Sequence, residues 1–136
     1  MVELRQERVH GPARRAIIKG LRAFNADTAG KAAYQPLTLT VRHRGKIVGG
    51  LAADTYFGWM FVSLLWIEAK HRHAGVGRSL IERAETEARA RGVDRVYLDT
   101  FSFQAPGFYQ KLGYRQFGQL DEFPKGHSRF WLTKIL

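Results

Sequence analysis

The residues most suited to chemistry lie in a turn, Arg72-His73-Ala74-Gly75-Val76-Gly77-Arg78, that follows the apolar run Gly58 to Ile67. Glycine lets the backbone approach a ligand closely and take dihedrals that other residues resist. If a helix starts at this turn, its first N–H groups have no partner within the helix. The helix dipole adds about half a positive charge at the same end. Together these make a site for phosphate, and Arg72, Arg78 and Lys70 would surround it with full charges. The pattern is R-x-x-G-x-G. Arg78 after Gly77 rules out the Gly-Lys-Ser/Thr ending of a P-loop, and the G-x-G-x-x-G spacing of a dinucleotide fold is missing. The competing reading is a plain strand-to-helix turn with glycines placed for tight packing.

Few other side chains invite chemistry. Without cysteine the chain has no disulfide, thiolate nucleophile or thiolate metal ligand. His71 and His73 flank Arg72, but no third ligand stands at a suggestive spacing, so no metal site is expected. Tyr109 can donate a proton, because an unperturbed tyrosine, with a pKa near 10, is protonated at neutral pH. It also reads as a core aromatic on a short helix.

The elements that must position these groups follow from hydrophobic period. Val2 to Val9 alternates loosely, as a first strand would. Gly11-Pro12 opens a helix with Ala13, Ile17, Leu21 and Phe24 on one face, and Asn25 to Pro36 reads as a loop. Leu37 to His43 and Lys46 to Ala53 form a hairpin across Arg44-Gly45. Gly58 to Ile67 is almost wholly apolar, as expected of a central strand covered on both faces. After the turn, a helix to about Arg91 carries the stripe Val76, Leu80, Ala84 and Ala88, with four-apart pairs Glu85–Arg89 and Glu87–Arg91. Arg95 to Phe101 is a strand, Ala105 to Leu112 a short helix, Tyr114 to Leu120 and Ser128 to Ile135 the last strands. This order predicts an α/β sandwich, a mixed sheet covered by helices.

At 136 residues, 45% of them hydrophobic and 25% charged, the chain fits one globular domain spanning 1–136. No apolar run approaches the roughly 18 residues a membrane span needs, and Met1 to His10 does not read as a signal peptide, so a cytoplasmic protein is expected. The formal charge of +10 is spread along the chain without a basic block, which favours a soluble positive surface over nucleic-acid binding.

The segment from Leu64 to Leu80 resembles the acetyl-CoA signature of the GNAT superfamily of N-acetyltransferases, Q/R-x-x-G-x-G/A followed by a helix. Downstream, Ala105 to Tyr114 is similar to that superfamily's A-x-x-x-Y-x-K-x-G-F/Y block, and Arg44 to Gly50 resembles its hairpin before the central strand. The resemblance covers nearly the whole chain. It implies a mixed, mostly antiparallel twisted sheet flanked by helices, and transfer of an acetyl group from acetyl-CoA to a primary amine of a small molecule, protein or peptide by direct attack. It further implies that the backbone of Leu65, Trp66 and Ile67 pairs with the pantetheine arm. The N–H groups of Arg72, His73, Ala74, Gly75, Val76, Gly77 and Arg78 would hold the pyrophosphate, and Tyr109 would serve as general acid. Where family members often carry an asparagine that contacts pantetheine, this chain has Ser102, with Gln104 close by.

The acceptor's proton needs a destination. An alkylamine is mostly protonated at pH 7, a handicap of roughly 4–5 kcal/mol. The central strand holds no glutamate, so Glu68 just beyond it and His127 in the last turn are the candidate bases, with Asp54 and Asp99 on neighbouring strands. A chain of waters would serve equally. Acceptor specificity should come from Asn25 to Pro36, Asp54 to Gly58 and Asp121 to His127, with Tyr34, Tyr56 and Phe123 as an apolar wall. The alternatives are a CoA-binding sensor without turnover and a basic module that binds RNA or the ribosome. Family members often pair, so a homodimer is compatible with the resemblance.

Overall fold

Two tight turns set the register of the sheet. Arg44 and Gly45 (φ 51° and 78°) join β1 (Gln35–His43) to β2 (Lys46–Tyr56), and Phe57 and Gly58 (φ 46° and 75°) join β2 to β3 (Trp59–Ile67). Positive φ at both central residues gives the turn the twist that antiparallel neighbours need. The computed structural model describes residues 1–8 and 11–136, which fall into two compact units, Met1–Ala32 and Ala33–Leu136.

In the first unit, α1 spans Pro12–Ala29, with proline in its first turn and Gly30 (φ 82°) after its end. The helix runs further than expected, since Asn25 to Ala29 continue it rather than open a loop. Nothing in Ala26-Asp27-Thr28-Ala29 breaks a helix before Gly30. The expected strand at Val2 to Val9 is a correction: residues 1–8 have no regular structure, and Val9 lies outside the described residues. Glu3, Arg5, Glu7 and Arg8 leave that stretch no continuous apolar face to pair or bury.

The second unit is a six-stranded sheet in the order β1-β2-β3-β4-β6-β5, with β4 at Arg95–Phe101, β5 at Arg115–Asp121 and β6 at Ser128–Ile135. All neighbours are antiparallel except β3 and β4. The mixed, mostly antiparallel sheet is therefore as the sequence implies. Between β3 and β4 runs α2 (Val76–Ala90), and between β4 and β5 runs α3 (Pro106–Lys111). The core joins Leu80, Ile81, Ala84 and Ala88 of α2 to Leu51, Ala53, Met60, Val62, Val96, Leu98 and Leu132 of the sheet, with Tyr109 and Tyr114 beside them.

β3 is not covered along its whole length, as its composition suggested. Met60 and Val62 are buried, whereas Leu64 is 67% and Trp66 53% exposed. The Glu87–Arg91 pair forms at 3.2 Å. Glu85 does not pair with Arg89. It is buried, where Lys134 binds it at 2.9 Å and the Tyr114 hydroxyl donates to it at 2.9 Å. A buried carboxylate must be paired and hydrogen-bonded, and the partners within reach are Lys134 of β6 and Tyr114 just before β5.

Candidate functional site

The site is built around an incomplete ladder. β3 and β4 pair only at Met60↔Val96, Phe61↔Tyr97 and Val62↔Leu98. Beyond that point β3 continues to Ile67 and β4 to Phe101 without pairing to each other. The register on the other side of β3 shifts between Ala52 and Ala53, so that Ser63 has no opposite number and its hydroxyl donates to the Ala52 carbonyl. A bulge bends a strand and terminates pairing. Leu65, Trp66 and Ile67 pair with Leu51, Gly50 and Gly49 of β2, and their other edge faces the wedge between β3 and β4. Close approach of the strands demands glycine here: a Cβ on Gly49 would stand 2.9 Å from the Trp66 carbonyl oxygen, and one on Gly50 2.6 Å from that of Leu39.

The predicted phosphate turn opens at the same end. Glu68 leaves β3 with its N–H on the Val48 carbonyl, and a 3-10 turn spans Ala69–His71. His73 and Gly75 then take left-handed backbone (φ 64° and 78°). The first bond that closes α2 runs from the Ser79 N–H to the Gly75 carbonyl, so the N–H groups of Val76, Gly77 and Arg78 precede the helical ladder. Left-handed residues ahead of a helix N-terminus aim successive N–H groups into one concavity, the geometry that holds an anion. The glycines divide the work. A Cβ at Gly75 would meet open space, while at Gly77 it would stand 3.1 Å from the Phe108 ring and 3.2 Å from Ile67. Gly77 therefore serves packing, the competing reading of that residue, and Gly75 serves backbone direction.

The arginines are engaged with protein. Arg72 Nε donates to the Ile67 carbonyl at 2.8 Å and pins the turn to the end of β3. Arg78 pairs with Glu82 one helical turn on at 2.7 Å, and that carboxylate raises its pKa. Glu68 lies between Lys46 (3.8 Å) and Lys70 (3.5 Å). His71 turns its ring toward His43 of the β1–β2 hairpin, with centroids 5.2 Å apart.

On the β4 side, Tyr109 is 8% exposed, and burial, with a contribution from the Asp99 carboxylate, pushes its hydroxyl up to about 12. Its protonated state is thereby secured across the physiological range. Ser102 joins β4 to the start of β6: its Oγ accepts from the Ser128 N–H at 2.9 Å and its own N–H donates to the Ser128 carbonyl. Gln104 Oε1 accepts from the Phe101 N–H and the Thr100 hydroxyl, closing the strand end. Either side chain would have its amide N–H₂ or hydroxyl hydrogen left to offer a ligand. His127 is exposed and stands edge-on to Phe103 at 5.1 Å.

One grouping escaped the sequence reading. Arg129 donates from Nε (2.9 Å) and Nη2 (2.6 Å) to Asp99 Oδ1, with its guanidinium about 5 Å from the rings of Phe101, Phe123 and Trp131. Alternation with Leu98 and Thr100 puts Asp99 on the face opposite α2, which was the available signal. The Phe101↔Arg129 register that seats the arginine beside it was not readable.

Comparison with known proteins agrees with this architecture. A family model described as "Acetyltransferase (GNAT) family" matches residues 6–114. A blasticidin-S acetyltransferase of Streptomyces morookaense is 41% identical over 100 residues, 73% of this chain and 74% of that protein. An acetyltransferase of Agrobacterium fabrum is 34% identical over 123 residues, 90% of each chain. The crystal structure of an acetyltransferase from Bacillus cereus superposes with a TM-score of 0.87 at 33% identity, covering 96% of this chain and 98% of the other. A sheet that splays between β3 and β4, a left-handed turn that opens α2 and a buried tyrosine on α3 thus occur in a chain that belongs to the acetyltransferase (GNAT) family.

Proposed function

We propose that the chain transfers the acetyl group of acetyl-CoA to a primary amine of a small molecule, protein or peptide by direct attack. The observation that carries this reading is the edge of β3 beyond Val62, left without a strand partner and running into the left-handed turn before α2, with the buried Tyr109 on the helix that follows β4. An extended pantetheine arm fits such an edge as an added strand, through the backbone of Leu65, Trp66 and Ile67. The pyrophosphate then falls at the N–H groups between Arg72 and Arg78. The residues present suit the cofactor chemically, since the turn offers donors and the edge offers a backbone.

Acetyl-CoA supplies an activated thioester. Tyr109, protonated, donates to the departing thiolate sulfur, and the wedge orients the carbonyl toward an amine arriving at the β4 side. Calorimetric titration with acetyl-CoA, followed by a thiol-release assay over a panel of amines and matching alcohols, tests the reading. Binding with turnover on amines alone supports it. Absence of acetyl-CoA binding overturns it, and binding without turnover on any amine moves the chain to the class of CoA sensors.

A further inference from the structure

Asp99 occupies the first position of β4 beyond the last ladder pair with β3, so its strand segment borders the wedge. Its side chain is 15% exposed. Both Arg129 bonds fall on Oδ1, and Oδ2 receives neither. Arg129 on β6 binds it, Tyr97 two residues back on β4 shares its face of the sheet, and its charge reaches the hydroxyls of both Tyr97 and Tyr109 on α3. Around the pair stand apolar rings: Phe101 and Phe103 stack at 5.2 Å, Phe123 lies 5.6 Å from Phe101, and Trp131 flanks Arg129. Phe103 and Phe123 are 55% and 38% exposed. Because β3 and β4 are parallel and Asp121 pairs with Ser128 where β5 meets β6, these rings lie at the same end of the sheet as the phosphate turn.

Resting on the acetyltransferase reading, we infer that Asp99 Oδ2 receives the acceptor's ammonium group, that Arg129 positions this carboxylate, and that the acceptor is a primary amine carried on a flat apolar body. A carboxylate fixed by a guanidinium presents its second oxygen in one direction, and aromatic faces attract both an apolar ring and a nearby cation. Glu68 lies between two lysines, and the exposed His127 stands edge-on to Phe103, so neither offers a carboxylate fixed by a guanidinium as Asp99 does.

The reaction balances without another reagent. The ammonium gives one proton to Asp99 and becomes the free amine. Its lone pair forms the C–N bond with the acetyl carbonyl carbon, and the C–S bond then breaks. Tyr109 protonates the leaving sulfur and recovers a proton from the nitrogen of the new amide. Asp99 releases its proton to water.

The test uses the full chain with acetyl-CoA and benzylamine as probe, benzyl alcohol as control, and Asp99→Asn, Asp99→Glu and Arg129→Met as variants. Expected is turnover of benzylamine but not of the alcohol by the wild type. Asp99→Asn should lose about a hundredfold or more in kcat/KM, at the low end for loss of a proton acceptor, with acetyl-CoA affinity within twofold, and Asp99→Glu should recover part. Arg129→Met should raise KM for benzylamine more than it lowers kcat. Asp99→Asn within threefold of wild type overturns the inference, as does equal loss of acetyl-CoA binding, which would mark Asp99 as structural. Wild type that binds acetyl-CoA yet ignores benzylamine overturns the flat-amine class. Failure of the wild type to bind acetyl-CoA removes the acetyltransferase reading itself.

Discussion

The hydroxyl of Tyr114 donates to the Glu85 carboxylate at 2.9 Å, while the backbone N–H of Tyr114 bonds the Tyr109 carbonyl. One residue therefore ties the helix that follows the proposed phosphate turn to the helix that carries the proposed acid. Lys134 completes the contact, binding Glu85 at 2.9 Å and lying 5.5 Å from the Tyr114 ring.

Breaking this contact should cost stability in graded amounts. Tyr114→Phe removes one hydrogen bond to a buried charged group, and about 1.5–3 kcal/mol is expected. Glu85→Ala also leaves Lys134 without its partner, and about 3 kcal/mol or more is expected. Urea unfolding curves for both variants check the order.

Alkaline pH should unfold the protein early. Burial and the Glu85 carboxylate hold the Tyr114 hydroxyl far above its ordinary range, and burial with Asp99 holds Tyr109 at about 12. A group whose folded pKa is raised gives stability that is whole below its unfolded pKa of about 10 and is lost as pH rises through the folded value. Unfolding free energy should fall from about pH 10 upward. Tyr109→Phe should flatten the fall, as read by denaturant midpoints between pH 8 and 12.

The two glycines of the turn should fail differently when substituted. Gly77→Ala forces Phe108 and Ile67 apart and should destabilise by about 1–3 kcal/mol, as overpacking does. Gly75→Ala meets open space but must hold φ near 78°, at about 1–2 kcal/mol. Melting temperature combined with acetyl-CoA affinity separates them. Gly75→Ala should lose more affinity per degree of melting shift, because it turns the donors away.

Tyr109→Phe should lower kcat about 10²–10⁴-fold on any amine that the enzyme accepts, with acetyl-CoA affinity within threefold. With Tyr109 protonated up to about pH 12, the wild-type pH–rate profile should show no descending limb from this residue below about pH 11. Steady-state rates from pH 6 to 10 check both statements.

Much of this was legible in the chain because local pattern and tertiary outcome agree. Ser128 to Ile135 is β6 to the residue, and the stripe Leu80, Ala84, Ala88 is buried as its spacing demands. Legibility failed where the decisive partner is distant in sequence. Arg89 stands four residues from Glu85, yet Lys134, 49 residues away, takes the contact because it lies where the carboxylate is buried. Arg72 reads as a phosphate ligand from its place in the turn, but only the folded chain shows it bonded to the Ile67 carbonyl. The start of the chain misled for a different reason: alternation at Val2 and Leu4 is too sparse to define a strand, which needs a neighbour to exist at all.

The three ladder pairs between β3 and β4 leave the sheet as two ribbons, β1-β2-β3 and β4-β6-β5, joined through a short isthmus. The turn proposed to seat the anion grows from the first ribbon, while Asp99 and Arg129 lie on the second and Tyr109 on the helix that links two of its strands. On the proposed reading, retailoring the second ribbon for a new acceptor would leave the grip on the nucleotide end undisturbed. A ligand lodged between the ribbons would act as mortar, so the protein's resistance to heat should track how much of it is loaded.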